Sequence, residues 1–293
     1  MKKLLHIVLL LILLVLPSSK ATADNNTNTD YTLEAAEIVI AVLSGDQTMG
    51  ELPFHISPYL LEISLHGHSL PDEIKNKLIE LGFNFSGDII NRTRDMRAEA
   101  SDLDQTYDIG IFRFHYTTDG YHGVDSTDND SNTVPDYIDV MAETFVHVYD
   151  EQINAMGYVR PPGDEWISNY GDDFDYGGSN HYDIYVRNLS PSYYGYVQSE
   201  YTAQNTGNNE FSPNVNEQNA LTSYMAMRNN YDGFPNSEEI ENIQVTAAHE
   251  FFHAIQYGYD GYEKPWLLEA TAVWVEEAVY DEINDCYQYM TSW

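Results

Sequence analysis

The sequence predicts an α+β fold: a twisted sheet packed over helices, with a cleft between two consecutive helices near the C-terminal end. Three observations carry this. Short segments with period-two alternation and many aromatic residues occur at 111–116, 182–187 and 221–228, and read as strands. A long helical pattern at 236–257 has Asn236 at its start and Glu239 three residues on, the arrangement of a capping box. A further helical pattern opens at Pro265-Trp266 and runs to about residue 280. With 293 residues and 43% apolar side chains, the chain is long enough to enclose a core and does not have the composition of a disordered polymer.

Taken in order, residues 1–23 read as a secretory signal. Met1-Lys2-Lys3 gives a positive start, an apolar run from Leu4 to Leu16 follows, and Ala21-Thr22-Ala23 ends it as an A-x-A cleavage site. The mature protein is therefore expected to be extracellular or periplasmic, with no membrane span. The formal charge of the whole chain is −34, and loss of Lys2, Lys3 and Lys20 makes the remainder more negative still. Such a surface repels phosphate backbones, which excludes nucleic acid as a partner. Lone Cys286 excludes an intramolecular disulfide, so a bound metal is the obvious staple for a secreted chain.

Residues 24–30 are polar and read as a flexible N-terminus. Residues 24–105 as a whole form an N-terminal region, either a pro-segment or a subdomain, whose clearest element is a helix over 71–81 with Ile74, Leu78 and Leu81 at helical spacing. A second unit spans 106–293. Its strand at 111–116 places Phe112, Phe114 and Tyr116 on one face. After an acidic loop, a helix over 136–156 carries Ile138, Met141, Phe145, Tyr149 and Ile153 as a stripe and ends at Gly157. Tyr182, Ile184 and Val186 share one face of the next strand. A polar loop over 200–219 leads to the strand at 221–228, which is expected to form the cleft edge. Gly258 is expected to stop the long helix.

That helix contains His249-Glu250-Phe251-Phe252-His253, an H-E-x-x-H pattern. Residues four apart lie on one helix face, so two imidazoles can reach one zinc at about 2.0–2.1 Å. Glu250 points slightly off that axis, where it can touch a water at the metal as general base. A catalytic zinc takes three protein ligands. One class of such sites places Gly three and His six residues after the second His, but here those positions are Gln256 and Tyr259, and no His follows His253. The third ligand, if downstream, is then a carboxylate. Glu269, early in the following helix, is the first candidate, with Asp260, Glu276 and Glu277 in reserve. Glu276 lies two turns beyond Glu269 and is read as a residue that orients a His or the helix. Tyr257, Tyr259 and Tyr262 are nearby proton donors among which the sequence does not choose.

Together, Glu269 in an E-x-x-A helix and the H-E-x-x-H pattern resemble the gluzincin metallopeptidases. More narrowly, residues 246–254 and 266–277 are similar to an uncharacterised group of secreted prokaryotic metallopeptidases. Their pattern combines T-A-A-H-E-F-F-H-A with W-L-x-E-A-x-A-x-W-x-E-E. Weaker similarity reaches back to about residue 111 and does not cover 24–105. The resemblance implies a zincin-like fold, zinc as cofactor, a peptide or protein substrate and hydrolysis by a zinc-activated water. Two departures stand out: only fifteen residues separate His253 from Glu269, and the sequence stops at Trp293 without the further helical subdomain usual in gluzincins. Either the chain is minimal or it is a piece of a longer one.

The acidic loop fits a calcium site. Asp128, Asp130, Asn132, Asp136 and Asp139 place oxygens at positions 1, 3, 5, 9 and 12, and Val134 offers its carbonyl at position 7. Position 6 is Thr133 where Gly is usual, and position 12 is Asp where Glu is usual. A structural Ca²⁺ is the expectation. Two other functions fit the same residues: a zinc hydrolase of non-peptide bonds, and a calcium-stabilised envelope or binding module with a non-catalytic zinc site.

Overall fold

Five strands form one mixed sheet in the computed structural model, which describes residues 27–46, 55–92, 102–164, 177–189, 193–203, 219–234 and 238–290. The expected signal segment, residues 1–23, and Asn236 lie outside the described residues. The strands are β1 (Gln105–Ile109), β2 (Phe112–Tyr116), β3 (Tyr182–Arg187), β4 (Gly195–Thr202) and β5 (Leu221–Arg228), in the spatial order β1-β2-β3-β5-β4. β2, β3 and β5 run parallel, and β1 and β4 close the two edges antiparallel. The architecture is α+β.

The helices are α1 (Thr27–Ser44), α2 (Ser57–His66), α3 (Asp72–Glu80), α4 (Asp136–Tyr149), α5 (Glu239–Asp260) and α6 (Pro265–Val279). One sheet face presents Phe112, Phe114, Tyr182, Ile184, Val186, Met225 and Met227 to the apolar faces of α4, α5 and α6. Period-two alternation sends Tyr185, Tyr196, Tyr224 and Ala226 the other way, into a second cluster with α1, α2 and α3. Here Ala36, Val39 and Val42 of α1 meet Leu60 and Ile63 of α2. Every residue of β3 and β5 is buried, as expected for strands covered on both faces.

Four sequence expectations change. The helix α1 begins at Thr27, so most of the supposed flexible stretch 24–30 is helical. The strand at 221–228 is β5, interior to the sheet; the edge beside α5 is β4, which lies partly within the supposed polar loop. Gly258 does not stop α5. It lies inside the helix where Pro162 packs so closely that a Cβ would meet Pro162 Cδ at 2.9 Å. The helix over 136–156 is α-helical only to Tyr149 and continues as a π-helical stretch to Ala155, before Gly157 at φ +84°. No described helix is long and apolar enough to cross a membrane.

Candidate metal centre

The long helix α5 crosses the sheet against β4 and β5, burying residues 245–255 without a break. At its end the chain turns sharply into α6. Gly261 makes that turn possible: its amide donates to the Asn219 carbonyl, and a Cβ there would meet Leu221 Cδ1 at 2.4 Å. Pro265 then occupies the first turn of α6, where its missing N–H costs nothing. The two helices pack side by side, and Glu269 faces the histidines of α5.

His249, His253 and Glu269 converge. The two Nε2 atoms are 3.0 Å apart, His253 Nε2 lies 3.1 Å from Glu269 Oε1, and His249 Nε2 lies 3.6 Å from Glu269 Oε2. Three ligand atoms held tetrahedrally at zinc bond lengths would be about 3.3–3.4 Å apart. The spacing therefore fits a zinc ion.

The outer faces of both imidazoles are fixed. His249 Nδ1 is 2.5 Å from Glu276 Oε1. His253 Nδ1 is 2.7 Å from Gln256 Oε1. The Gln256 amide cannot flip without loss, because its Nε2 donates to Leu268 O and Thr271 Oγ1. Each Nδ1 therefore carries a proton and donates outward, which leaves both Nε2 lone pairs aimed at the same point as the Glu269 carboxylate. Three electron-rich atoms so placed call for a cation or a proton. Accordingly, although burial opposes charge on His249, Glu269 and Glu276 raise its pKa well above the usual histidine value. Burial likewise opposes charge on Glu269, and the two histidines hold its pKa well below the carboxylate range.

Glu250 lies beside this cage with no exposed surface. Its Oε2 accepts a hydrogen bond of 2.7 Å from the Ser57 hydroxyl at the N-terminus of α2, the positive end of that helix. Its Oε1 has no hydrogen-bond partner among the described residues and lies 3.6 Å from His55 Nδ1, which is also without one. Burial would raise the Glu250 pKa, but the imidazoles of His55, His249 and His253 hold it below the ordinary value, so the side chain is a carboxylate. The His55 ring stacks on His249 with centroids 3.9 Å apart and planes at 16°.

Of the other candidates, only Tyr257 lies beside the cage, with its ring 6.2 Å from that of His253. Asp260 accepts from Asn219 Nδ2 and the Tyr262 amide at the end of α5, and Glu277 accepts from Cys286 Sγ. Tyr257 donates to the Ser57 carbonyl, the Tyr259 hydroxyl accepts from the Val159 amide, and Tyr262 is exposed. In the acidic loop, Asp128 accepts from the amides of Asn132 and Thr133, and Asp136 from that of Asn129. Asn132 Nδ2 donates to Asp130 and Asp139, and the Val134 amide donates to Asn132 Oδ1. Among the described residues, groups of three His, Cys, Asp or Glu ligand atoms within 4.8 Å occur only around His249.

Sequence reasoning passed over three residues that touch this site. Gln256 was legible, since it lies three residues after His253 on the same helix face. His55 and Ser57 had no local signal; they lie almost two hundred residues from Glu250 in the chain and reach it only through the tertiary fold.

Comparison with known protein families, with curated proteins and with solved structures finds no match to this chain.

Proposed function

We propose that the chain is a secreted zinc-dependent metallopeptidase with a zincin-like fold, in which His249, His253 and Glu269 hold the metal and Glu250 is the general base. One observation carries the reading: two histidines whose outer nitrogens are already engaged turn their lone pairs to one point with Glu269, and an ionised Glu250 stands beside it. The resemblance of residues 246–254 and 266–277 to gluzincins supports it, and the α+β architecture is compatible with it. Zinc, when bound, lowers the pKa of a water it holds to about 7 and polarises the scissile carbonyl. Glu250 takes the proton of the attacking water and passes it to the leaving amine. Its burial next to the cage keeps competing solvent away from that carboxylate. A structural calcium in the loop over 128–139 belongs to the same reading.

The test is elemental analysis of the purified mature chain, followed by zinc-dependent hydrolysis of a fluorogenic peptide mixture. One zinc per chain is expected, lost in Glu269→Ala and kept in Glu250→Gln. Residual hydrolysis is expected to fall in Glu250→Gln by about 10²–10⁴-fold. A folded parent without zinc overturns the reading. Zinc kept in Glu269→Ala moves the third ligand to another carboxylate. Cleavage of esters but not peptides assigns the same residues to a non-peptide hydrolase.

A further inference from the structure

The helices α1 and α2 do more than cover the far face of the sheet. At its N-terminus, α2 wraps past the β4 edge and meets the metal centre. Ser57 is held there from three directions: its hydroxyl donates to Glu250 Oε2, the same hydroxyl accepts from the Val197 amide of β4, and its carbonyl accepts from the Tyr257 hydroxyl. Thr32 of α1 donates to Glu62 of α2 at 2.6 Å and ties the two helices together. Asn91 adds a further bond to the β4 edge, donating to the Glu200 carbonyl.

These contacts use what a substrate would need. β4 is the antiparallel edge strand next to α5, so its outward backbone groups are the available template for an extended peptide. The Val197 amide is one of those groups, and Ser57 has it. A general base must accept a proton from water; Glu250 Oε2 already accepts from Ser57, and His55 Nδ1 stands 3.6 Å from the other oxygen, Oε1. His55 lies flat on His249 and covers that ring, itself 19% exposed while His249 is fully enclosed. A cavity of about 420 Å³ beside α5 is lined by Phe252, Gln256, Tyr259 and Leu268, and Glu250 is not part of its lining.

His55, His249 and Glu250 also bring ligand atoms within 4.8 Å of one another, but they do not make a second metal site. His249 Nε2 faces the cage with His253 and Glu269, and its Nδ1 donates to Glu276, so neither nitrogen is left for another ion.

We propose that the folded chain is a latent form, closed over its own active site by His55 and Ser57, which occupy the places of substrate backbone and attacking water. This rests on the peptidase reading. Opening is a local displacement of the 55–57 segment and not the shedding of residues 27–92, because shedding would strip Tyr185, Tyr196 and Tyr224 of their apolar cover. His55 is held by its stacking on His249 and by the 3.6 Å approach of its Nδ1 to Glu250 Oε1, with no hydrogen bond at Nδ1 among the described residues. Ser57 is the anchor.

The experiment compares the full mature chain with His55→Ala, Ser57→Ala and the double variant, each loaded with zinc or with cobalt as a spectroscopic substitute. Acetohydroxamate, a small metal-directed ligand, is the access probe. A fluorogenic peptide mixture reads hydrolysis, and hydrogen exchange reads the Val197 amide. The parent is expected to keep its cobalt spectrum on addition of acetohydroxamate and to exchange Val197 slowly. The double variant is expected to respond to the probe, to exchange Val197 faster, and to hydrolyse peptides at least about tenfold faster, the order set by loss of one or two buried hydrogen bonds. If Ser57→Ala does not fold, His55→Ala, which removes the ring stacked on His249 and leaves the Ser57 hydrogen bonds in place, carries the same comparison. Equal response of parent and variants to the probe overturns the closure. So does loss of hydrolysis in folded variants, which would make His55 and Ser57 part of the working machinery. Variants that admit the probe but cleave no peptide leave the closure standing and overturn the peptidase reading. Failure of every form to bind zinc or cobalt overturns both.

Discussion

The cage between α5 and α6 and the acidic loop ahead of α4 are both groups of potential cation ligands, yet their side chains are committed in opposite ways. In the cage, every outer hydrogen bond turns a lone pair inward: Glu276 and Gln256 take the two Nδ1 protons, and Leu268 and Thr271 fix Gln256. In the loop, the carboxylates accept from the loop's own amides, and Asn132 uses both ends of its side chain within the turn. The cage histidines are fully buried on a helix, whereas the loop's candidate ligands are exposed or only partly buried. Preorganisation of this kind belongs to tight, geometry-selective sites. A loop whose oxygens already have partners must give some of them up to an ion.

The largest effect that would break this contrast is in the bracing of the cage. Gln256→Ala removes the acceptor for His253 Nδ1 without touching a ligand atom. Zinc affinity is expected to fall about 10–100-fold, measured by competition with a chromogenic chelator. Asp139→Asn in the loop is expected to leave zinc affinity unchanged. Equal losses in the two variants would mean that the cage is not separately organised.

A second effect separates the two regions by pH. In the zinc-free chain the His249 pKa is raised from its ordinary 6.5, and the Glu269 pKa is lowered from 4.5. A raised histidine stabilises the fold fully below its unfolded pKa, and this is lost as pH rises through the folded value. A lowered carboxylate stabilises above its unfolded pKa, and this is lost as pH falls through the folded value. The zinc-free melting temperature is therefore expected to be highest between these two ordinary values, with a decline on the alkaline side that zinc abolishes. Glu269→Gln should flatten the alkaline limb in the zinc-free form. An unchanged limb in that variant would place the titrating group outside the cage.

Much of this was legible in the sequence because it is local. The H-E-x-x-H turn, the placement of Glu269 and Glu276 two turns apart, and the alternation of β2, β3 and β5 each depend on spacing within one element. What was not legible is non-local. β4 was missed, its end taken into the polar loop, because its second half from Gln198 to Thr202 is mostly polar even though Gln198 and Ser199 are fully buried. The helix α1 was hidden by an Asn- and Thr-rich start. Gly258 looked like a helix stop because nothing nearby in sequence announces the Pro162 packing that explains it. Ser57 and His55 approach Glu250 only after the sheet has formed, and no periodicity could have placed them there.

The smallest effect lies in the loop and tests whether its geometry is that of a calcium site. Thr133 takes the position where such loops usually have Gly, and its backbone sits at φ +78°, with Ser131 at φ +63°. A β-branched residue is strained there, by about 1–2 kcal/mol relative to a residue free to adopt that region. Gly relieves the strain but adds backbone freedom to the unfolded chain, which costs about 0.5–1 kcal/mol. Thr133→Gly is therefore expected to be stabilising by up to about 1 kcal/mol, as a small rise in denaturation midpoint. If the loop holds calcium, the rise in stability on adding Ca²⁺ should be at least as large in this variant as in the parent, and should vanish in Asp128→Asn combined with Asp139→Asn. A calcium response that survives that double substitution would put the ion elsewhere. No response in any form would leave the loop as a self-satisfied cap on α4 and make the cage the one cation site among the described residues.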